Sequence, residues 1–393
     1  MISMKKNNVL VTDAQMRTSL AVIRSLGKMG LQVTACEKTY FTTGFFSKYC
    51  HKKLVYPSPE KDEKKFIEFL LNALKKDNYE VLFPVADACL QPIIHNYDVL
   101  SQYTKIALPR PEIFMQGYDK GNTLRIAEQY NIPHPKTLFF KKGDTLSTIR
   151  DSIDFPVIIK PTISSGSRGM ARCSNFQELT EKIQQLQTIH QNILIQEYIP
   201  NGGEFGVYTL FNSRSEPRAL SVQRRLRSYP ASGGPSTLRE TLRNETSEKS
   251  IDIAFTLLKA MQWTGVAMVE FRIDARDGIP KLMEVNSRFW GSLQLSILSG
   301  IDFPYLQYQV LTAGDIDPVM NYKEGIQCRW LLPGDILWYL TSPDKIKNFR
   351  ELMRFDVPDD IMSWNDPGPT AGFFLATLRY LFDKEMWSFV LRR

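Results

Sequence analysis

Residues 265–291 read GVAMVEFRIDARDGIPKLMEVNSRFWG, two strand-like segments around a short turn. In the first segment Ala267, Val269, Phe271 and Ile273 fall on one face, with Met268, Glu270 and Arg272 on the other, as in a half-buried strand. Arg276-Asp277-Gly278 suits a three-residue hairpin loop with glycine in the left-handed position. Centring the loop on Asp277 sets Glu270 opposite Glu284 and Met268 opposite Asn286, and puts Leu282 on the face of Glu284 and Asn286. Two carboxylates about 5 Å apart repel, so an ordinary sheet avoids that pairing. A divalent cation removes the penalty, and carboxylates plus an amide oxygen are the hard ligands magnesium takes. The expected metal ligands are therefore Glu270, Glu284 and Asn286, with Arg288 beside them. The bland alternative is two solvated glutamates on an exposed face.

Working outward, residues 8 to 110 alternate between strands and helices. Val9–Thr12 reads as a strand, Ser19–Met29 as a helix ended by Gly30, and Gln32–Cys36 as the next strand. Phe66, Ile67, Phe69, Leu70, Leu71 and Leu74 form a helical stripe before a strand over Val81–Pro84. This rhythm predicts a small parallel sheet with helices on its faces. The first strand-to-helix turn, Thr12 to Thr18, holds no glycine, so close approach of a dinucleotide is not expected. Asp13 and Asp87 sit at carboxyl ends of strands, where either a loop-capping or a ligand role fits. After the linker Leu108-Pro109-Arg110-Pro111, a helix opens at Asp119-Lys120, and short strands then alternate with helices near 175–187 and 250–261. That pattern predicts an α+β domain on a mainly antiparallel sheet.

Composition narrows the class without choosing a partner. The 393 residues are 43% hydrophobic and 23% charged, close to globular averages, which excludes a fibre or a membrane-spanning bundle. No charge-free apolar run nears the roughly 18 residues that a span needs. The polar, basic start carries no hydrophobic signal core, so the expected location is cytoplasmic. Five scattered cysteines without a C-x-x-C pair read as reduced thiols, mostly in the core. A formal charge of +7 fits a solvated basic surface, nucleic acid, an anionic membrane or a phosphate-rich ligand.

Two further segments suit a nucleotide. Ile158-Ile159-Lys160-Pro161 ends a strand in lysine and feeds the Gly/Ser-rich loop Ser164, Ser165, Gly166, Ser167, Arg168, Gly169, whose free N–H groups suit phosphate oxygens. No G-K-[ST] closes it, so it is not a Walker A motif. In Gln196-Glu197-Tyr198-Ile199-Pro200 a strand edge leaving its sheet can offer backbone groups to a purine, and Glu204, seven residues after Glu197, can reach a ribose.

Together, in order and spacing, Asp119-Lys120, Val157–Pro161, Ser164–Gly169, Gln196–Ile199 with Glu204, Val269-Glu270-Phe271 and Met283–Arg288 resemble the ATP-grasp superfamily over roughly residues 8 to 315. Asn286–Ser292 and Gly300–Pro304 look most like the stand-alone carboxylate–amine ligases similar to the carbamoyl-phosphate synthase large chain. The resemblance implies a Rossmann-like pre-ATP-grasp domain over 1–110, a two-part ATP-grasp domain over 111–315 and a mainly helical extension over 316–393. It implies that ATP meets Lys120 and Lys160, that the Ser164–Gly169 loop covers the phosphates, that Glu197, Tyr198 and Ile199 hold the adenine, and that Glu204 holds the ribose. Glu270, Glu284 and Asn286 would bind Mg2+, with Mn2+ as the alternative ion. Arg288, with Lys160, would carry the catalytic cations. Ser287 departs from the proline many members carry.

The implied chemistry is activation of a carboxylate as an acyl phosphate and its capture by an amine. The alternatives are a phosphotransferase or carbamoyl-phosphate-like enzyme without amide formation, and a non-catalytic nucleotide-binding protein. The partners expected are small-molecule carboxylate and amine substrates, not nucleic acid, with a homodimer admitted and membrane contact less favoured. The basic run Gln223–Arg227 and the glycine-rich turn after it suggest Arg225, Ser232 and Gly233 as carboxylate-substrate contacts, against a solvated arginine strand. Aromatic and leucine-rich segments at 330–340 and 373–391 read as helices packing on the core.

Overall fold

The structure, a computed structural model, describes residues 7–164, 169–230 and 233–380. Its first layer is a parallel sheet in the order β3-β2-β1-β4-β5, made by β1 (Asn8–Val11), β2 (Gln32–Glu37), β3 (Cys50–Val55), β4 (Val81–Phe83) and β5 (Lys105–Ile106). Helices α1 (Arg17–Lys28), α2 (Glu63–Asp77), α3 (Asp87–His95) and the short α4 (Tyr97–Leu100) connect and flank these strands. Val9, Leu10 and Val11 are all fully buried, which explains a strand apolar on both faces rather than alternating.

The linker enters α5 (Pro111–Tyr118) and α6 (Lys120–Gln129). Asp119 caps α6 by accepting from the backbone N–H groups of Gly121 and Asn122, at 2.7 and 3.3 Å. A four-stranded antiparallel sheet follows, β6-β9-β7-β8, from β6 (Thr137–Lys141), β7 (Val157–Pro161), β8 (Ala171–Cys173) and β9 (Asn192–Glu197), with α7 (Phe176–Gln187) packed on it.

The largest sheet is antiparallel and ordered β14-β13-β10-β11-β12-β15. It comprises β10 (Asn201–Phe211), β11 (Pro217–Ser228), β12 (Ser236–Thr241), β13 (Gly265–Asp274), β14 (Pro280–Asn286) and β15 (Gln327–Arg329). Helix α8 (Glu245–Ala260) covers one face, burying Ile251, Ala254, Leu257 and Leu258 against the strand residues Val207, Val269 and Phe271 within one core. Then α9 (Leu293–Leu298), α10 (Phe303–Ala313), α11 (Ile336–Thr341), α12 (Lys345–Leu352) and α13 (Gly368–Tyr380) complete the described chain. Among the described residues no helix is long and apolar enough to cross a membrane.

Several local expectations change. The strand expected over Ala219–Gln223 runs on to Ser228, because its arginines pair with acids: Arg224 with Glu240 at 2.5 Å and Arg227 with Asp335 at 2.6 Å. Beside its helices, the segment after 315 also carries β15, a short strand next to β12. Leu282 does not share the face of Glu284. A bulge between Glu270 and Phe271 makes Leu282 the partner of Phe271, so both are buried in the core while Glu284 faces the other way. Part of the apolar stretch at 373–391, from residue 381 on, lies outside the described residues.

Candidate active site

Across β13 and β14, Glu270 pairs with Glu284 and Met268 with Asn286. On the same face of the sheet, Glu270 lies opposite Gly206 of β10, and Gly206 lies opposite Gln223 of β11. Gly206 is constrained here by space, because a Cβ would meet Met268 Cε at 2.9 Å and the Tyr208 ring at 3.0 Å. This face floors a cavity of about 190 Å³ bordered by Glu204, Arg225, Glu270, Glu284, Asn286 and Arg288, and also by Arg17, Arg239 and Trp290.

The two glutamates differ in their cations. Glu284 has Lys120 Nζ 3.2 Å from Oε2, and its Oε1 accepts from Asn286 Nδ2 at 3.3 Å. Burial pushes the Glu284 carboxyl up, but Lys120 and Lys160 outweigh it and hold it below its ordinary value. Glu270 meets Arg225 Nη2 at 3.8 Å, and burial, reinforced by the charge of Glu284, pushes it up. Oxygen donors so placed fit a divalent cation, which would take over the compensation that Glu270 lacks.

Lys160 lies at the end of β7, 6% exposed, with its ammonium pushed down to about 8 by burial, partly offset by Glu284. Lys120 begins α6 and donates from Nζ to the carbonyl of Ser164 at 2.5 Å, which ties it to the start of the Gly/Ser-rich loop. Ser165, Gly166, Ser167 and Arg168 lie outside the described residues. Gly169 closes the loop at φ +73°, a region that favours glycine. Glu197 ends β9, and Tyr198 and Ile199 lie in its link to β10. There the Glu197 carboxylate accepts from Arg276 Nη2 at 2.5 Å, Arg172 lies over the Tyr198 ring at 4.3 Å, and Ile199 is buried.

Glu204, expected near a ribose, accepts from Arg225 at 2.6 Å and from Arg272 at 2.5 Å. Arg288 borders the cavity and donates from Nε to Asp87 Oδ1 at 3.0 Å, so its guanidinium is held by the first residue of α3. Burial pulls its proton affinity down, but the Asp87 charge and hydrogen bond prevail and raise it. Ser287 is buried with its hydroxyl 3.5 Å from the Phe114 carbonyl, and Arg288 still borders the cavity. Gly233 adopts φ +136°, and Ser232 lies outside the described residues.

The two strand-end aspartates left open by the local pattern take different roles. Asp13 is a loop cap: it is buried, and accepts from the Thr12 hydroxyl and from Ala86 N–H at 3.0 Å. Asp87 belongs to the cavity through Arg288. Arg17 and Arg239 border the same cavity and were not singled out, since neither lies in a recognisable motif.

Residues 190–332 match the family described as ATP-grasp in the biosynthetic pathway with Ter operon. Residues 119–215 match the carbamoyl-phosphate synthase L chain, ATP binding domain. Together these two matches place residues 119–332 in the ATP-grasp superfamily. A D-alanine–D-alanine ligase from Flavobacterium psychrophilum is 25% identical over 180 residues, 43% of this chain and 54% of that protein. A D-aspartate ligase from Enterococcus faecium is 23% identical over 272 residues, 63% of each chain. The chain spans about half the length of the first two such relatives, 54% and 53%. Among solved structures, an L-amino acid ligase from Bacillus licheniformis superposes with a TM-score of 0.62 at 18% identity, covering 78% of this chain and 74% of that one. Biotin carboxylase from Campylobacter jejuni gives 0.70 at 16%, covering 82% and 74%. These two likenesses concern the fold.

Proposed function

We propose that this ATP-grasp protein is an ATP-dependent carboxylate–amine ligase. The observation that carries the reading is the paired glutamates Glu270 and Glu284, with Asn286 on the same face, meeting Lys120, Arg225 and Arg288 around one cavity. Glu270, Glu284 and Asn286 would hold Mg2+, which when bound supplies positive charge against the β- and γ-phosphates. Lys120 and Lys160 would meet the phosphates, the Ser164–Gly169 loop would cover them, and the Glu197–Ile199 link would take the adenine, with Glu204 toward the ribose.

The chemistry follows from charge. An oxygen of the acid attacks the γ-phosphorus, the bond to ADP breaks, and an acyl phosphate forms. The amine nitrogen then attacks the acyl carbon, phosphate leaves, and the nitrogen gives up a proton. Two anions must approach in the first step, and Lys160 and Arg288 lower that repulsion. Asp87 holds Arg288 in place for this, from the start of α3. A covering loop also keeps water from the acyl phosphate.

The test is ADP release from Mg-ATP against pooled carboxylates, with and without pooled amines, beside Glu284→Gln. ADP that requires both pools and disappears in the variant is the expected result. ADP with the acid alone would favour a phosphotransferase. Failure to bind ATP would overturn the assignment.

A further inference from the structure

Two stretches far apart in sequence, residues 38–53 and 367–380, contain no Asp or Glu, where the whole-chain frequency, 42 in 393, would give about three. They carry Lys38, Lys48, Lys52, Lys53 and Arg379 among Tyr40, Phe41, Phe374, Leu375 and Leu378. The fold brings them together. Helix α13 lies across the single turn Thr43–Phe46 that follows β2, with a stripe of small residues facing the turn. A Cβ on Gly368 would collide with the Phe46 carbonyl, and one on Gly372 would meet Phe46 Cδ2 at 2.7 Å and the Thr42 carbonyl at 3.1 Å. Ala376 is buried one turn further on. Just before α13, Asp366 accepts from the Ser47 hydroxyl and the Lys48 N–H, which fixes the entry to the helix against the same turn.

The same helix presents large apolar side chains to solvent. Ala371, Phe374, Leu375 and Leu378, spaced i, i+3, i+4 and i+7, share one face, with Phe374 52% and Leu378 54% exposed. Leading into the turn, Tyr40 and Phe41 are 74% and 54% exposed, and Trp364, two residues before Asp366, is fully exposed. A surface helix ordinarily turns polar residues outward, so a contiguous apolar face marks a place of contact. The cations lie alongside it. Lys53 Nζ is 5.5 Å from the centroid of Phe46, the ring that Gly372 packs against. Lys48 follows the Ser47 that holds Asp366, and Arg379 lies in the last turn of α13. Lys38 and Lys52 pair with Glu60 and Asp77, whereas among the described residues Lys48, Lys53 and Arg379 form no salt bridge.

We infer that the outer face of α13, with Tyr40 and Phe41, docks the protein on a membrane surface rich in anionic lipid. The contact is interfacial, with side chains entering the headgroup region rather than a helix crossing it. Such a surface answers both features, because the apolar side chains reach the acyl boundary while lipid phosphates meet Lys48, Lys53 and Arg379. Tyrosine and tryptophan suit that boundary, apolar at one end and wet at the other. A second copy of the chain suits it less well. A two-fold pairing through this face would set the three cations near their own counterparts, with no acid in either stretch to answer them. Neither stretch suggests a membrane by itself, and only the packing of α13 on the turn joins them. The inference does not rest on the ligase reading.

The experiment is flotation of the full chain with vesicles of phosphatidylcholine alone, or of phosphatidylcholine with about one third phosphatidylglycerol. The anionic vesicles should bind at least about tenfold more tightly, and added salt should remove much of that difference. Phe374→Ser with Leu378→Ser should weaken binding to the anionic vesicles by about tenfold or more. Lys53→Gln with Arg379→Gln should bring the anionic vesicles to within about threefold of the neutral ones. All four side chains are exposed, so each double variant should keep the unfolding temperature of the parent, and either one decides if the other fails to fold. No binding to either vesicle, equal binding to both, or indifference to both double variants would overturn the docking surface. Self-association that is lost on replacing Phe374 and Leu378, in a chain that ignores vesicles, would overturn it too and assign the face to a second copy.

Discussion

Glu270 and Glu284 face each other across adjacent strands, but among the described residues only Glu284 has a lysine in contact, with Lys120 at 3.2 Å. Burial, then the neighbouring Glu284 charge, pushes Glu270 up to about 7. Its ordinary value is 4.5, so between about 4.5 and 7 the folded protein binds more protons than the unfolded chain. The contribution of this group to stability is fullest below 4.5 and is lost as pH rises through 7. Magnesium held at the proposed site would compete with that proton. Its apparent affinity should rise steeply between pH 5.5 and about 7 and level off above, as read by magnesium-dependent thermal stabilisation. A pH-independent affinity would contradict the pairing as a metal site.

Glu284→Gln removes the charge of a proposed magnesium ligand and the carboxylate that Lys120 meets. Turnover should fall by at least about a hundredfold. The loss of the Glu284 charge should also lower the proton affinity of Lys160 further, because that charge opposes the effect of burial. Steady-state ADP release at several magnesium concentrations checks this, and excess magnesium should not restore the rate.

Asp87 acts through Arg288, with Nε–Oδ1 at 3.0 Å. Asp87→Asn keeps the shape but weakens the charge-assisted bond. The expected result is a kcat about tenfold lower with the KM for ATP nearly unchanged. An equal rise in both KM values with kcat intact would place Asp87 in binding instead.

Asp366, on the segment before α13, accepts from Arg24 Nε at 2.8 Å, from the Ser47 hydroxyl at 2.7 Å and from Lys48 N–H at 2.9 Å. The Arg24 and Asp366 side chains are 6% and 3% exposed. Removing one member of such a pair strands the other, so Asp366→Ala should cost about 3–5 kcal/mol in denaturant unfolding. A change below about 1 kcal/mol would mean that the C-terminal segment is not tied to the first sheet by this contact.

Much of this molecule was legible locally. The alternation of Ala267, Val269 and Phe271 placed Glu270 on the opposite face, but the loop at Asp277 did not by itself set its partner: next to the loop Arg272 meets Lys281 and Phe271 meets Leu282, one residue off that register, and the bulge brings Glu270 back opposite Glu284. Among residues 8 to 110, β1, α1, β2, α2 and β4 followed from apolar periodicity, whereas β3, α3, α4 and β5 carried no such signal. The bulge that turns Leu282 inward carried none either, since it answers to the packing of Phe271 rather than to any turn residue.

The arginines divide along the same line. Arg224, Arg225 and Arg227 stand out as a run, and the fold matches each with a carboxylate: Glu240, Glu204 and Asp335. Arg17 and Arg239 carry no local signature, yet α1, β12 and the Asp360 segment bring them onto one cavity. Periodicity acts over a few residues, and so it determined the main elements and the face that carries Glu270, while the pairing with Glu284 depends on the bulge as well. Which cations stay uncompensated depends on carboxylates hundreds of residues away, and only tertiary packing settles that.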